Sequence, residues 1–263
     1  MDLQLTGKTA LVSGSTAGIG FAIAHTLAQE GARVIVNGRK QDAVDAAVAR
    51  IKAETGHDAR GFAGDLSQAG GAARLAAQYP DVDILVNNLG IFEARPFEDI
   101  PDEEWQRFFD VNVLSGVRLA RQYLPGMKAR DWGRIVFISS ESAVQIPTEM
   151  IHYGVTKTAQ LAVARGLADT LAGTGVTVNS VLPGPTRSRG VGDFIDDLAK
   201  RDNKTFEEFE KEFFRTMRPS SLIQRFASPE EVASLVAYVV SPLASATTGA
   251  ALRVEGGLLR GIL

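Results

Sequence analysis

Residues 152–159 read HYGVTKTA, with Tyr153 and Lys157 four apart on a segment of helical pattern. That spacing stacks both side chains on one helical face. A phenol and an ammonium are both protonated and unreactive in water at neutral pH, so the pair alone is an ordinary feature of surface helices. Three further polar features fall where the ends of neighbouring strands should converge: NNLG at 87–90, SSES at 139–142 and LPGPT at 182–186. Asn112 adds an amide to an apolar stripe of Trp105, Phe108, Phe109, Leu119 and Tyr123, on a helix starting near Asp102. A buried amide costs free energy unless it is hydrogen-bonded. Asn112 is therefore either a satisfied core asparagine or part of a polar site.

A second constellation lies near the start of the chain. SGSTAGIG carries glycines at 14, 18 and 20, directly after an apolar run and before a helical one. Glycines let a backbone turn tightly and approach a phosphate, while a helix N-terminus offers free N–H groups and the positive end of its dipole. The spacing is GxxxGxG rather than GxGxxG, and the strand, turn and helix context favours a dinucleotide phosphate site over a purely structural turn. About 20 residues further on, an acid would be needed to bind a ribose 2′-hydroxyl. The sequence has VIVNGRK there, ending in Gly38 and Arg39. A guanidinium can clamp phosphate and stack on adenine, which favours NADP(H) over NAD(H). The alternative is a solvated arginine at a strand end.

The elements that must position these residues are visible as short apolar, largely β-branched runs at 9–13, 33–37, 59–63, 83–87, 134–139, 176–182 and 252–255. Each of the first six precedes a segment that can be helical, the first from about Gly18 to Glu30 with Ile19, Ile23 and Leu27 on one face and Gly31 as its stop. This alternation predicts an α/β fold with a parallel, doubly wound sheet covered on both faces. A single domain over 1–263 is expected, without linker or repeat. Residues 190–219 break the pattern, being highly charged with Phe206, Phe209 and Phe213 at helical spacing. They read either as an amphipathic helix packing one stripe or as a lid over a pocket.

Composition narrows the function. A net charge of −3 and the absence of a Lys/Arg run argue against nucleic acid or an anionic membrane as partner. There is no cysteine, which excludes disulfides, thiolate metal sites and cysteine nucleophiles; no metal site is expected. No apolar stretch approaches the roughly 18 residues of a membrane span, and no export signal is visible. The expected setting is the cytoplasm and the expected partner a small molecule.

Taken together these residues resemble the short-chain dehydrogenase/reductase family, including its 3-oxoacyl-carrier-protein reductase-like members. The match covers nearly the whole chain and rests on order: the glycine turn, Asp65, NNLG, Asn112, Ser140 thirteen residues before Tyr153, YxxxK and PGPT. Ser13 and Leu89 stand where the family more often has threonine and alanine. The resemblance implies a Rossmann domain with a seven-stranded sheet and a helical substrate lid, assembled as a homotetramer. It also implies a catalytic set of Asn112, Ser140, Tyr153 and Lys157. Lys157 and the oxidised nicotinamide would lower the Tyr153 pKa, which needs about 4 kcal/mol to reach neutrality from near 10. Tyr153 would then exchange a proton with the substrate oxygen, Ser140 would steady that oxygen, and Asn112 would position a water leading to Lys157.

Implied cofactor contacts are Gly14, Ser15, Thr16, Gly18, Ile19, Gly20, Arg39, Asp65, Leu66, Asn88, Gly90, Tyr153, Lys157, Pro183, Gly184 and Thr186. Asp65 would meet the adenine amino group, Asn88 and Gly90 the ribose, Thr186 the carboxamide, and Lys157 the nicotinamide ribose. Asp65 could equally cap a helix starting near Ser67, and Thr186 could be a plain loop residue. Ser139 lies one residue out of register and is left out. The expected activity is NADP-dependent interconversion of a carbonyl and an alcohol. The alternative is a non-catalytic dinucleotide-binding sensor or scaffold of the same fold. A serine hydrolase using Ser140 lacks a histidine with an evident acid partner.

Overall fold

A computed structural model describes residues 1–188 and 205–262 of the chain. All seven expected strands are present: β1 (Thr9–Val12), β2 (Arg33–Gly38), β3 (Ala59–Ala63), β4 (Ile84–Asn87), β5 (Gly133–Ile138), β6 (Val176–Pro183) and β7 (Ala251–Val254). They form one parallel sheet in the order β3-β2-β1-β4-β5-β6-β7. Leu11 lies between Ile35 of β2 and Leu85 of β4, and Ile135 continues the row on β5.

Successive residues of a strand face opposite sides, and here both sides are apolar. Ala10, Val12, Ile84 and Val86 join the core under α1 (Gly18–Gln29), while Leu11 and Leu85 join the core on the other face. Such two-sided burial is why these strands read as continuous hydrophobic runs. The first face is covered by α1, by α2 (Gln41–Thr55) and by a late helix, Pro229–Val239; the second by α3 (Ala69–Gln78) and by helices following β4 and β5. Gly31, with φ of 88°, ends α1 in the left-handed conformation that a glycine adopts freely.

The helix expected from Asp102 is three segments. α4 (Asp102–Phe109) runs into a π-helical segment, Asp110–Leu114, and then α5 (Ser115–Ala129). Phe108, Leu119 and Tyr123 are buried as expected, but Phe109 is exposed, because the wider π turn rotates the helix face between the two halves. After β5 comes α6 (Ile151–Asp169), which carries Tyr153 and Lys157. Of the segment expected as a lid, 190–219, residues 190–204 lie outside the described residues. The rest forms α7 (Phe206–Thr216), started by a capping box between Thr205 and Glu208. α8 (Pro229–Val239) starts the same way, with Ser228 and Glu231. No described helix is long and apolar enough to cross a membrane.

Candidate active site

The chain reverses its winding direction between β1 and β4, and the turns after these two strands meet. Gly14 and Gly18 have φ of 62° and 59°, as the tight turn requires. Gly20 is needed for closeness: a Cβ there would run into Asn88 Nδ2 and Gly14 O. Ala17 precedes α1 without a side-chain cap, and the first turn holds no acid, so its N–H groups face no competing carboxylate from their own helix. A cavity of about 180 Å³ opens there, lined by Gly14, Thr16, Gly38, Arg39, Asp65 and Leu66 among others. Arg39 stands exposed at its edge. A Cβ on Gly38 would lie 2.5 Å from Thr16 Cγ2, so an acid at the end of β2 would require Thr16 to move.

Not every expected contact reaches a cavity. Ser15 is fully buried, its hydroxyl donating to Val12 O at 2.6 Å and accepting from Asn37 N at 3.0 Å, while its own N–H goes to Asn37 O. Its role is to hold the turn against β2. Asn88 lines the second cavity, yet its amide nitrogen is spent on Ser13 O and Gly14 O, both at 3.0 Å. Asp65 lines the first cavity and does not cap a helix. Its Oδ1 accepts from Ser67 N and Ser67 Oγ, forming a turn, and α3 begins later, at Ala69.

The second cavity, about 800 Å³, brings together Ile19, Asn88, Gly90, Ser140, Tyr153, Lys157, Pro183, Gly184 and Thr186, contributed by the ends of β1, β4, β5 and β6 and by α6. Tyr153 and Lys157 share a face of α6, with Lys157 Nζ 5.6 Å from the tyrosine ring centre. Lys157 Nζ donates to Ile138 O at 2.9 Å and to Gln160 Oε1 at 3.3 Å. Ser140 Oγ accepts from Ser142 N and donates to Glu141 Oε2 at 2.5 Å. Ser139, by contrast, gives its hydroxyl proton to Lys157 O and holds α6 to β5.

Asn112 is a satisfied buried asparagine whose side chain does not line the second cavity. Its Oδ1 accepts from Ile91 N at 2.7 Å, and its Nδ2 donates to Ile91 O and to Thr156 Oγ1. With the side chain so engaged, its route to Lys157 runs through the backbone. Gln160 Nε2 donates to Asn112 O at 2.6 Å, within the π-helical segment whose shifted pairing makes carbonyls available to side chains. Gln160 is buried on α6 and thus bridges Asn112 to Lys157.

Burial in this pocket acts on both titrating groups. It pushes Lys157 down from 10.5 to about 8. It pushes Tyr153 well above its ordinary value, the nearby Glu141 carboxylate adding to the rise and a hydrogen bond with Ser140 opposing it. The chain by itself therefore does not poise a phenolate near neutrality, because desolvation and Glu141 both disfavour the negative charge. His152, next in sequence, is buried against Phe108 with ring centres 4.0 Å apart, and burial holds its pKa down. His25 does have an acid neighbour, Glu54 at 3.1 Å, between α1 and α2.

The aromatic stripe of α7 serves packing and pocket at once. Phe213 and Phe214 lie against Phe226, with ring centres 5.0 and 5.1 Å apart, while Phe209, Phe213 and Met217 line the second cavity. Gln160, Glu141 and Arg218 escape a reading of the sequence. An SSES run and a glutamine one turn beyond a YxxxK pair were the available signals, and Arg218 offered none. Among the described residues, no group of three or more His, Asp or Glu is placed to hold a metal.

Residues 14–259 match a family model described as enoyl-(acyl carrier protein) reductase. An uncharacterized oxidoreductase of Bacillus subtilis (strain 168), YvaG, is 50% identical over 263 residues, covering 100% of both chains. A solved short chain dehydrogenase/reductase family protein superposes with a TM-score of 0.84 at 38% identity, covering 98% of each chain. L-Sorbose reductase of Gluconobacter frateurii, complexed with NADPH and L-sorbose, gives a TM-score of 0.93 at 31% identity over 100% of each chain.

Proposed function

Since the chain belongs to the short-chain dehydrogenase/reductase family of oxidoreductases, we propose that it interconverts a carbonyl and an alcohol with NADP(H) as cofactor. The observation that carries the reading is the meeting of Ser140, Tyr153 and Lys157 in one cavity beside the glycine turn.

The residues present fit a nicotinamide dinucleotide. The close glycine turn and the uncapped start of α1 suit its pyrophosphate, Asp65 and Leu66 its adenine, Asn88 and Gly90 its ribose, and Pro183, Gly184 and Thr186 its carboxamide. The chemistry it supplies when bound is hydride exchange with the carbonyl carbon. Tyr153, kept protonated by burial, gives its phenol proton to the carbonyl oxygen in reduction and takes it back in oxidation. Ser140, turning its hydroxyl proton from Glu141 Oε2 to that oxygen, steadies its charge. Lys157, fixed by Ile138 O and Gln160, holds a cation beneath the tyrosine and a donor for the ribose. Asn112 anchors the chain of bonds behind it.

Arg39 and the filled corner at Gly38 and Thr16 support NADP(H) over NAD(H), as does the NADPH bound by L-sorbose reductase. The same reading makes residues 1–263 one Rossmann domain, with the 190–219 segment as its lid. It also makes the protein a homotetramer, with exposed apolar Val155, Tyr238 and Leu243 available for contacts and a light-scattering mass as the check.

The cofactor assignment is tested by titrating NADPH and NADH into the wild type and Arg39→Ala. A lost phosphate contact should weaken NADPH roughly tenfold or more and leave NADH nearly unchanged. Tighter NADH binding by the wild type refutes it.

A further inference from the structure

Among the described residues, the largely apolar wall of the second cavity carries Glu93, Lys157 and, at one corner, a cluster of Glu141, Glu149 and Arg218. Glu141 is 6% exposed, and its Oε1 lies 3.6 Å from Arg218 Nε. Arg218 Nη2 lies 3.5 Å from Glu149 Oε1, and Nη1 donates to Met217 O at 2.9 Å. Both side-chain separations are within ion-pair range but longer than the roughly 2.7–3.2 Å of a hydrogen bond to nitrogen. The capacity of Glu141 Oε1 and Arg218 Nε is thus not spent on each other, although both face the pocket that holds Tyr153.

We infer that this corner is a subsite for a neutral hydroxyl group on the carbon next to the reacting carbonyl, so that the substrate is an α-hydroxy carbonyl compound and its reduced form a vicinal diol. The inference rests on the carbonyl–alcohol reading above. A hydroxyl is the group that answers both sides of the corner, donating to the carboxylate and accepting from the guanidinium. A substrate carboxylate would pair with Arg218 but meet the like charges of Glu141 and Glu149. An ammonium would pair with Glu141 but meet Arg218.

Position along the substrate follows from Ser140. Ser140 Oγ lies 2.5 Å from Glu141 Oε2, so when its one hydroxyl proton is turned from that carboxylate to a substrate carbonyl oxygen, the adjoining carbon comes beside Glu141. The rest of the substrate faces Phe92, Phe209, Phe213 and Met217, which suits an apolar or aromatic body.

Four phenyl ketones test this on one carbon skeleton: acetophenone, α-hydroxyacetophenone, α-aminoacetophenone and phenylglyoxylate, each assayed with NADPH and with NADH. The wild type should favour α-hydroxyacetophenone over acetophenone by roughly tenfold or more in kcat/KM, the scale of a hydrogen bond to a charged group. The ratio should fall towards one in Glu141→Gln and, separately, in Arg218→Gln. A wild-type ratio near one, a preference for the acid or the amine, or a ratio untouched in both variants overturns the subsite while leaving a working ketone reductase. Absence of nucleotide oxidation with all four, and of nucleotide reduction with 1-phenyl-1,2-ethanediol, overturns the carbonyl–alcohol reading and the subsite with it.

Discussion

Replacing Lys157 by methionine should change how stability depends on pH. Burial moves the Lys157 pKa from 10.5 to about 8, which at 1.36 kcal/mol per pH unit amounts to about 3 kcal/mol. Below pH 8 the folded and unfolded chains both carry the proton, and folding bears the full cost of burying the charge. Between pH 8 and 10.5 the unfolded chain still holds the proton while the folded chain has lost it, so this lysine makes wild-type stability rise with pH across that window. Methionine has no such group, and it also forfeits the bonds to Ile138 O and Gln160. The offset between the two proteins at pH 7 therefore mixes several effects, whereas its change with pH isolates the ionisation. Urea denaturation of both nucleotide-free proteins at intervals from pH 7 to 11 should show wild type gaining about 3 kcal/mol on the variant. Parallel stability curves, or a gain by the variant, would refute the desolvated lysine.

Gly20→Ala should weaken binding of either nucleotide and lower stability by about 1–3 kcal/mol, because its Cβ meets Asn88 Nδ2 and Gly14 O in a turn with little slack; thermal melts and nucleotide titration read both effects. Gln160→Leu should lower kcat and move the alkaline limb of the pH profile down, since Lys157 loses an oxygen acceptor. Gln160→Glu should move that limb up by placing a carboxylate against the ammonium. A glutamine that served packing alone would leave the limb in place in both variants.

The strands were legible because both faces of the sheet are buried, which writes them as apolar runs, and all seven stand within a residue or so of where those runs lie. Tyr153, Lys157 and Ser140 were picked out by an order and spacing that resemble the family's, and β5 and α6 bring them to one cavity. Partnerships made in space were less so. Asp65 read either as an adenine contact or as a helix cap, and it is no cap but a turn with Ser67 beside the first cavity; Ser15, an implied cofactor contact, has its hydroxyl turned inward to Val12 and Asn37. Phe109 looked buried until the π-helical segment shifted the phase of its helix. Gln160 reaches Asn112 across 48 residues, and Arg218 approaches Glu141 from α7's end, contacts that no local periodicity encodes.

The central claim is that Tyr153 moves the proton while other residues hold the nucleotide. It is tested most directly by comparing wild type and Tyr153→Phe for NADPH binding by fluorescence and for turnover of a carbonyl the wild type reduces. The expected result is loss of turnover with NADPH affinity within a few-fold of wild type. Turnover by the phenylalanine variant equal to that of the wild type would contradict it.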